Sequence, residues 1–145
     1  MKLSEKPTIQ DFQLEGVKHI SVTDAYDLIS KDEVFFIDVR EPEEQAKEFF
    51  NFQNVFFYPM SSIMDNIHLI PKEIPLIVVC DEGIRSTKIV NVLNRQDYKS
   101  VANLDGGIYA WKAKGLPIAE GMVSKSGSSD ECAPDNCEGG CSGCG

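Results

Sequence analysis

The stretch Leu76-Ile-Val-Val-Cys80 is the most apolar run of this 145-residue chain, and the loop Cys80-Asp-Glu-Gly-Ile-Arg85-Ser86 follows it directly. A helical pattern that would bury Ile89, Val90 and Leu93 begins where the loop ends. A buried strand, a glycine-bearing loop and a helix in succession are typical of one unit of a parallel α/β sheet. Ligands bind such sheets at the carboxyl ends of the strands, which is where the sequence places the Cys80 thiol.

The loop after Cys80 has the composition of an anion cradle around a nucleophilic thiol. Gly83 allows the backbone to curl with positive φ, so that N–H groups point inward. These N–H groups and the N-terminus of the next helix attract negative charge and favour the thiolate. We predict Arg85 as the last loop residue, and Ser86 as a helix N-cap, a contact to the sulfur, or both. The predicted substrate-binding residues are Asp81, Glu82, Gly83, Ile84, Arg85 and Ser86.

Strand and helix patterns alternate along the rest of the body. Strands are predicted over residues 18–22, 34–38, 54–58, 76–80 and 101–104. Helices are predicted over residues 23–29, from 42 onward, over 63–67 and 86–96, and after 105, with Thr23 as the first N-cap. Such alternation predicts an α/β fold with a mostly parallel sheet covered by helices on both faces.

Three blocks of this sequence together resemble the rhodanese-like domain: Ile37-Asp-Val-Arg-Glu-Pro42, Cys80-Asp-Glu-Gly-Ile-Arg-Ser86 and Leu104-Asp-Gly-Gly-Ile-Tyr-Ala-Trp-Lys-Ala-Lys-Gly-Leu-Pro117. The resemblance spans residues 16–118 and implies a five-stranded parallel sheet flanked by helices. It also implies transfer of sulfane sulfur through a cysteine persulfide, with Cys80 as the catalytic residue. One block departs from the family pattern. Phe50-Asn-Phe-Gln-Asn-Val55 stands where rhodaneses usually carry Gly-His-Ile-Pro-Gly-Ala.

The expected function is therefore that of a rhodanese-type enzyme of the thiosulfate sulfurtransferase class. Cys80 would take sulfur from a small donor anion such as thiosulfate, or from a protein persulfide, and pass it to a thiol acceptor. No metal or cofactor is required, because the surroundings ionise the nucleophile and the leaving group departs as an anion. Asp81 and Glu82 place negative charge beside an anionic donor, so thiosulfate turnover is expected to be weaker than in rhodaneses with basic loops.

Two other classes of function compete with this interpretation. Cysteine phosphatases and arsenate reductases of the related fold separate Cys and Arg by five residues, whereas four separate Cys80 from Arg85 here. A shorter loop suits a sulfur atom better than a tetrahedral oxyanion. A sulfur carrier or interaction module that works only with protein partners is the other alternative, and the presence of Cys80 argues against a module without chemistry. Asp38 and Arg40 are predicted to support the site by pairing with each other.

Net charge and the distribution of cysteines limit the possible partners and define the last segment of the chain. A net charge of −9 argues against nucleic acid and anionic membranes as partners, and an N-terminus without an apolar segment favours the cytoplasm. We divide the chain into an N-terminal extension (1–13), a rhodanese-like domain (14–119) and a flexible linker with a Cys-rich tail (120–145). The tail is interpreted as disordered, as a thiol relay for Cys80, or as a zinc or iron–sulfur centre. Its candidate ligands are Cys132, Cys137, Cys141 and Cys144.

Overall fold

The computed structural model describes residues 3–120, and the tail cysteines with the metal and relay hypotheses lie outside this range. Five parallel strands form one sheet in the order β1 (His19–Ile20), β6 (Val101–Leu104), β5 (Leu76–Val79), β2 (Phe35–Asp38) and β4 (Val55–Phe57). The strand that precedes Cys80, β5, therefore lies in the centre. This is the α/β fold with a five-stranded parallel sheet predicted from the sequence. No helix within residues 3–120 has both the length and the apolar character needed to cross a membrane.

The elements follow the predicted alternation closely. The sheet strands are β1 (His19–Ile20), β2 (Phe35–Asp38), β4 (Val55–Phe57), β5 (Leu76–Val79) and β6 (Val101–Leu104). The helices around them are α1 (Val22–Ser30), α3 (Ile63–Asn66) with a 3₁₀ turn (Ile67–Leu69), α4 (Ile84–Arg95) and α5 (Gly107–Ala113). A separate compact unit contains α2 (Pro42–Lys47), β3 (Glu48–Phe49) and β7 (Ala119–Glu120), in which β3 and β7 pair antiparallel.

Two hydrophobic cores cover the two faces of the sheet. Residues that alternate along β2 and β5 point to opposite faces, as the two-residue period of a strand requires. Phe36, Ile77 and Val79 pack with α1 and α5, whereas Ile37 and Val78 pack with α3 and α4. This double coverage explains why β5 is apolar at every position, since all four of its residues are buried.

The segment that departs from the family pattern, residues 50–55, contributes aromatic rings to the core on the side of α1 and α5. Phe50 is buried and contacts Trp111 edge-on, with ring centroids 4.9 Å apart, and it meets Phe36 at 5.1 Å. Phe52 meets the same tryptophan at 6.4 Å. Edge-to-face aromatic pairs stabilise a core beyond the burial of their area. Trp111 on α5 is fully buried.

The caps of two helices differ from the sequence prediction. Ser21, not Thr23, caps α1, because Ser21 lies in the extended conformation and its Oγ accepts from the Asp24 N–H at 3.2 Å. Helix α4 begins at Ile84, so the predictions of Ser86 as N-cap and of Arg85 as last loop residue are wrong. Gly83 takes the N-cap position with φ +93°, a left-handed conformation that costs glycine little.

Candidate active site

Cys80 lies directly after β5 at the carboxyl edge of the sheet, and its side chain is buried. The Gly83 N–H donates to Cys80 Sγ at 3.1 Å, and the Ser86 N–H donates to it at 3.4 Å. Ser86 is the third residue of α4, so the sulfur satisfies a helix N–H that a capping hydroxyl would otherwise bind. The sulfur therefore lies where the N-terminus of α4 stabilises negative charge.

The predicted contact between Ser86 and the sulfur is also made by the hydroxyl. Ser86 Oγ lies 3.3 Å from Cys80 Sγ, and the same oxygen donates to Asn103 Oδ1 on the neighbouring strand β6. Ser86 and Asn103 are fully buried. Glu82 in the loop and Ile84 at the start of α4 are exposed, so both side chains lie at the surface beside the site.

Asp38 and Arg40 form the predicted ion pair at the end of β2, beside the cysteine loop. Arg40 Nη2 donates to Asp38 Oδ2 at 2.9 Å and Arg40 Nε donates to Asp38 Oδ1 at 3.0 Å. The ion pair is therefore bidentate, and both side chains are buried. Arg40 Nη1 also lies 3.9 Å from Asp81 Oδ1. Asp81 receives a second contact from Arg85 Nη2 at 3.4 Å. Two guanidinium groups therefore face the Asp81 carboxylate and offset part of its charge.

Helix α5 binds the backbone of the cysteine loop from the other side. The Ile108 N–H donates to the Cys80 carbonyl at 2.9 Å, and the Tyr109 N–H donates to the Asp81 carbonyl at 3.1 Å. Gly107 makes this approach feasible, because its φ is +62° and a Cβ there would lie 2.5 Å from both carbonyl oxygens. Gly107 is thus a structural requirement of the contact between α5 and the cysteine loop.

We expect Gly107→Ala to destabilise the protein by at least about 2 kcal/mol more than Gly115→Ala, because it also breaks the contacts between α5 and the loop. Gly115 is a matched control, since it has a positive φ of +73° but open space around its Cβ position. Urea denaturation of both variants measures the difference. Equal losses of stability would show that the tight approach of Gly107 has no energetic importance.

The N-terminal segment is fastened to this site by Asp105, which sequence reasoning left without a role. The Asp105 carboxylate is buried and follows β6, at the same edge of the sheet as Cys80. It accepts from Thr8 N at 2.7 Å, Thr8 Oγ1 at 2.9 Å, Ile9 N at 3.1 Å and Gln10 N at 3.2 Å. These contacts cross almost the whole domain in sequence, so no local motif announces them.

Gln10, Asn103 and His19 are further site residues that the sequence analysis missed. Asn103 Nδ2 lies 2.9 Å from Gln10 Oε1 and 2.9 Å from His19 Nδ1. Burial lowers the pKa of His19, while the Asp105 carboxylate acts in the opposite direction, so the imidazole is favoured in its neutral form. The only signal in the sequence was the position of Asn103 on β6, next to the central strand.

A groove of about 510 Å³ runs beside the loop. Its walls are mainly apolar and include Ile9, Phe12, Ile84 and Tyr109, with the carboxylates of Asp11 and Glu82 among them. Cys80 is not part of the groove wall, so the groove borders the nucleophile rather than containing it. Two carboxylates make the groove unfavourable for a small dianion and suitable for an apolar or basic group.

Comparison with known proteins agrees with the fold and shows the family. Residues 21–114 match the rhodanese-like domain family, and the chain belongs to that family. A sulfurtransferase of Allochromatium vinosum is 35% identical over 91 residues, which cover 63% of this chain and 83% of that protein. The thiosulfate sulfurtransferase GlpE of Coxiella burnetii is 31% identical over 96 residues, covering 66% of this chain and 88% of the relative.

A solved structure shares the architecture. The crystal structure of a rhodanese-related protein from Thermoplasma volcanium superposes with a TM-score of 0.63 at 27% identity. The match covers 70% of this chain and 96% of the other. The segment before residue 21, which contains Gln10 and His19, lies outside the range matched by the family.

Proposed function

We propose that this protein is a sulfurtransferase that carries sulfane sulfur on Cys80. The observation that carries the proposal is the position of Cys80 Sγ, which accepts from two loop N–H groups at the N-terminus of α4. Such donors stabilise a thiolate, which is the nucleophilic form of cysteine in exchange between sulfur atoms. The names of the two similar sulfurtransferases support the same class of reaction.

The reaction proceeds in two displacements at sulfur. The Cys80 thiolate attacks the outer sulfur of the donor, a new S–S bond forms, and the donor's S–S bond breaks as a thiolate or sulfite leaves with the electron pair. An acceptor thiolate then attacks the outer sulfur of the Cys80 persulfide, and the Cys80 thiolate leaves. Each step exchanges one S–S bond for another, so no metal or redox cofactor takes part.

The charges around the loop favour a persulfide donor over thiosulfate. Glu82 is exposed at the loop, and Asp11 and Glu82 both line the adjoining groove. A thiosulfate dianion approaching the loop meets these carboxylates before it reaches the donors inside. A persulfide carried by a protein or a small thiol presents less negative charge and an apolar stem that fits the groove.

Intact-mass measurement after exposure to different donors tests the proposal. Cys80 should gain one sulfur atom from a cysteine-desulfurase-type persulfide donor, more readily than from thiosulfate at equal concentration. Peptide mapping then assigns the added sulfur, and cyanide should remove it. Failure of every donor, including polysulfide, to load Cys80 in the reduced protein would contradict the proposed function.

A charge reversal at Glu82 is expected to improve thiosulfate as a donor. Glu82→Lys should lower KM for thiosulfate by about threefold to tenfold at low ionic strength, because repulsion becomes attraction. The gain should shrink as salt rises, since exposed charges are screened within about 8–10 Å near physiological ionic strength. Asp81 is a poorer choice for this test, because a lysine there would lie against Arg40 and Arg85.

Glu33→Lys is the matched control for this prediction. Glu33 is exposed and precedes β2, at the end of the sheet opposite to Cys80. This variant makes the same change in net charge but should leave KM for thiosulfate unchanged. Equal effects of the two variants would assign the gain to overall charge rather than to the loop.

A further inference from the structure

The Gln10 side-chain amide connects the N-terminal segment to both loops that surround Cys80. Its Oε1 accepts from the Gly106 N–H at 2.9 Å and faces Asn103 Nδ2 at 2.9 Å. A Cβ at Gly83 would lie only 1.8 Å from this Oε1, which shows how closely the amide packs against the cysteine loop. The acceptors for its Nε2 are Phe12 O at 2.8 Å, Thr87 Oγ1 at 3.0 Å and Gly83 O at 3.2 Å.

These partners fix which end of the Gln10 amide points where. The carbonyl oxygens of Phe12 and Gly83 can only accept, so the nitrogen end must face them. The Gly106 N–H can only donate, so the oxygen end must face it. Gln10 Oε1 is therefore available to Asn103 only as an acceptor. The Asn103 NH₂ group must turn toward Gln10, which leaves Asn103 Oδ1 toward Ser86.

His19 does not impose this orientation on Asn103. Its Nδ1 faces Asn103 Nδ2, and its Nε2 has no hydrogen-bond partner among residues 3–120. A neutral imidazole can carry its proton on either nitrogen, so it accepts from an NH₂ group or donates to an oxygen equally well. Gln10 is thus the neighbour that selects the direction of the Asn103 amide.

The orientation of the Asn103 amide in turn determines where the O–H bond of Ser86 points. A serine hydroxyl has one proton, and Asn103 Oδ1 takes it. Toward Cys80 Sγ, 3.3 Å away, Ser86 Oγ then presents lone pairs. A hydroxyl in this state accepts from the S–H of a thiol and gives no hydrogen bond to a thiolate, so it adds nothing to the backbone donors of Gly83 and Ser86.

We propose that Gln10 is a positioning residue that turns the Ser86 hydroxyl away from the Cys80 sulfur and thereby restrains the reactivity of the resting cysteine. The effect on the Cys80 thiol does not depend on the proposed sulfurtransferase function. Only the relevance of this effect to catalysis rests on that function. Without the Gln10 oxygen, the Asn103 amide is free to flip and His19 to change tautomer. The Ser86 hydroxyl then turns and donates to the thiolate.

The test is the rate at which iodoacetamide alkylates Cys80 at a fixed pH near neutrality, followed by mass spectrometry of the Cys80 peptide. Gln10→Met, which keeps the length of the side chain, should raise the rate by about threefold to tenfold, the effect of one added hydrogen bond. Gln13→Met is the matched control, because Gln13 is exposed in the same segment. It should alkylate at the rate of the unmodified sequence.

A Ser86→Ala background separates the proposed effect from simple loosening of the loop. The Thr87 N–H donates to the Gly83 carbonyl at 3.1 Å, and none of these substitutions removes either group. With no hydroxyl to turn, Gln10→Met should change the alkylation rate by less than about twofold. An equal rise in both backgrounds would mean increased access to Cys80, and it would overturn the proposal. So would an unchanged or lower rate in Gln10→Met alone.

Alkylation does not depend on sulfur transfer, so the two proposals fail separately. Sulfur loading of Cys80 in the unmodified protein, together with unchanged alkylation of Gln10→Met, would refute only the role of Gln10. A Cys80 that takes sulfur from no donor would refute the proposed function and leave the alkylation result to decide the role of Gln10.

Discussion

Cys80→Ser is expected to abolish sulfur transfer while the fold remains intact. The change is nearly isosteric, and a serine Oγ at this position still accepts from the N–H groups of Gly83 and Ser86. An alkoxide does not form near neutral pH, and a hydroxyl cannot carry a persulfide, so the rate should fall by at least about a thousandfold. Cyanide-dependent thiocyanate production measures activity, and circular dichroism with thermal unfolding measures the fold.

The four tail cysteines require a control of their own, because they supply further thiols in the same chain. A variant with serine at positions 132, 137, 141 and 144 should still take up one sulfur atom at Cys80. Thiocyanate production that persists in a folded Cys80→Ser protein would assign the nucleophile to another residue. Loss of that production when the tail cysteines are replaced, with Cys80 present, would show that the tail is part of the transfer route.

The local features of the site could be predicted from the sequence because each depends on neighbouring residues. The apolar run before Cys80 defines the central strand, and Gly83 marks the positive φ that starts α4. Asp38 and Arg40 are two residues apart, so their pairing at the end of β2 follows from the strand end alone. These features need little information beyond strand period, loop length and backbone sterics.

The starts of the helices show where local reasoning fails. Ser21 and Thr23 both carry a hydroxyl suited to an N-cap, and only the extended backbone of Ser21 decides between them. In α4 the sequence favours Ser86 as a cap, yet the Cys80 sulfur binds the Ser86 N–H. Capping rules are based on the distance in sequence between a hydroxyl or carboxylate and the helix N–H groups. They do not include a thiol that accepts from such an N–H group.

The surrounding network could not be predicted, because its members are far apart in the chain. Gln10 lies 73 residues from Gly83 and 93 from Asn103, and His19 lies 84 residues from Asn103. Parallel strands bring their carboxyl ends to one edge, so residues after β2, β5 and β6 meet there. The fold explains why Asp105 lies near Cys80, but not why residues 8–10 bind it.

Among substitutions that keep the shape of the side chain, Asp38→Asn is expected to cause the largest loss of stability. Asp38 and Arg40 are 0% and 1% exposed, so removal of the carboxylate charge deprives a buried guanidinium of the counter-charge that it binds at 2.9 Å. Breaking a buried ion pair in this way costs about 3–5 kcal/mol. Urea denaturation at neutral pH measures the change in the free energy of unfolding.

Two comparisons make the Asp38 prediction specific to burial. Asp27→Asn breaks a surface ion pair, since the side chains of Asp27 and Lys31 are 61% and 59% exposed. It should lower the free energy of unfolding by no more than about 0.5 kcal/mol. The double change Asp38→Asn with Arg40→Met removes both buried charges and should be less destabilising than Asp38→Asn alone, because the buried guanidinium is removed together with its partner carboxylate. A loss in Asp38→Asn as small as in Asp27→Asn would show that Arg40 is adequately paired without Asp38.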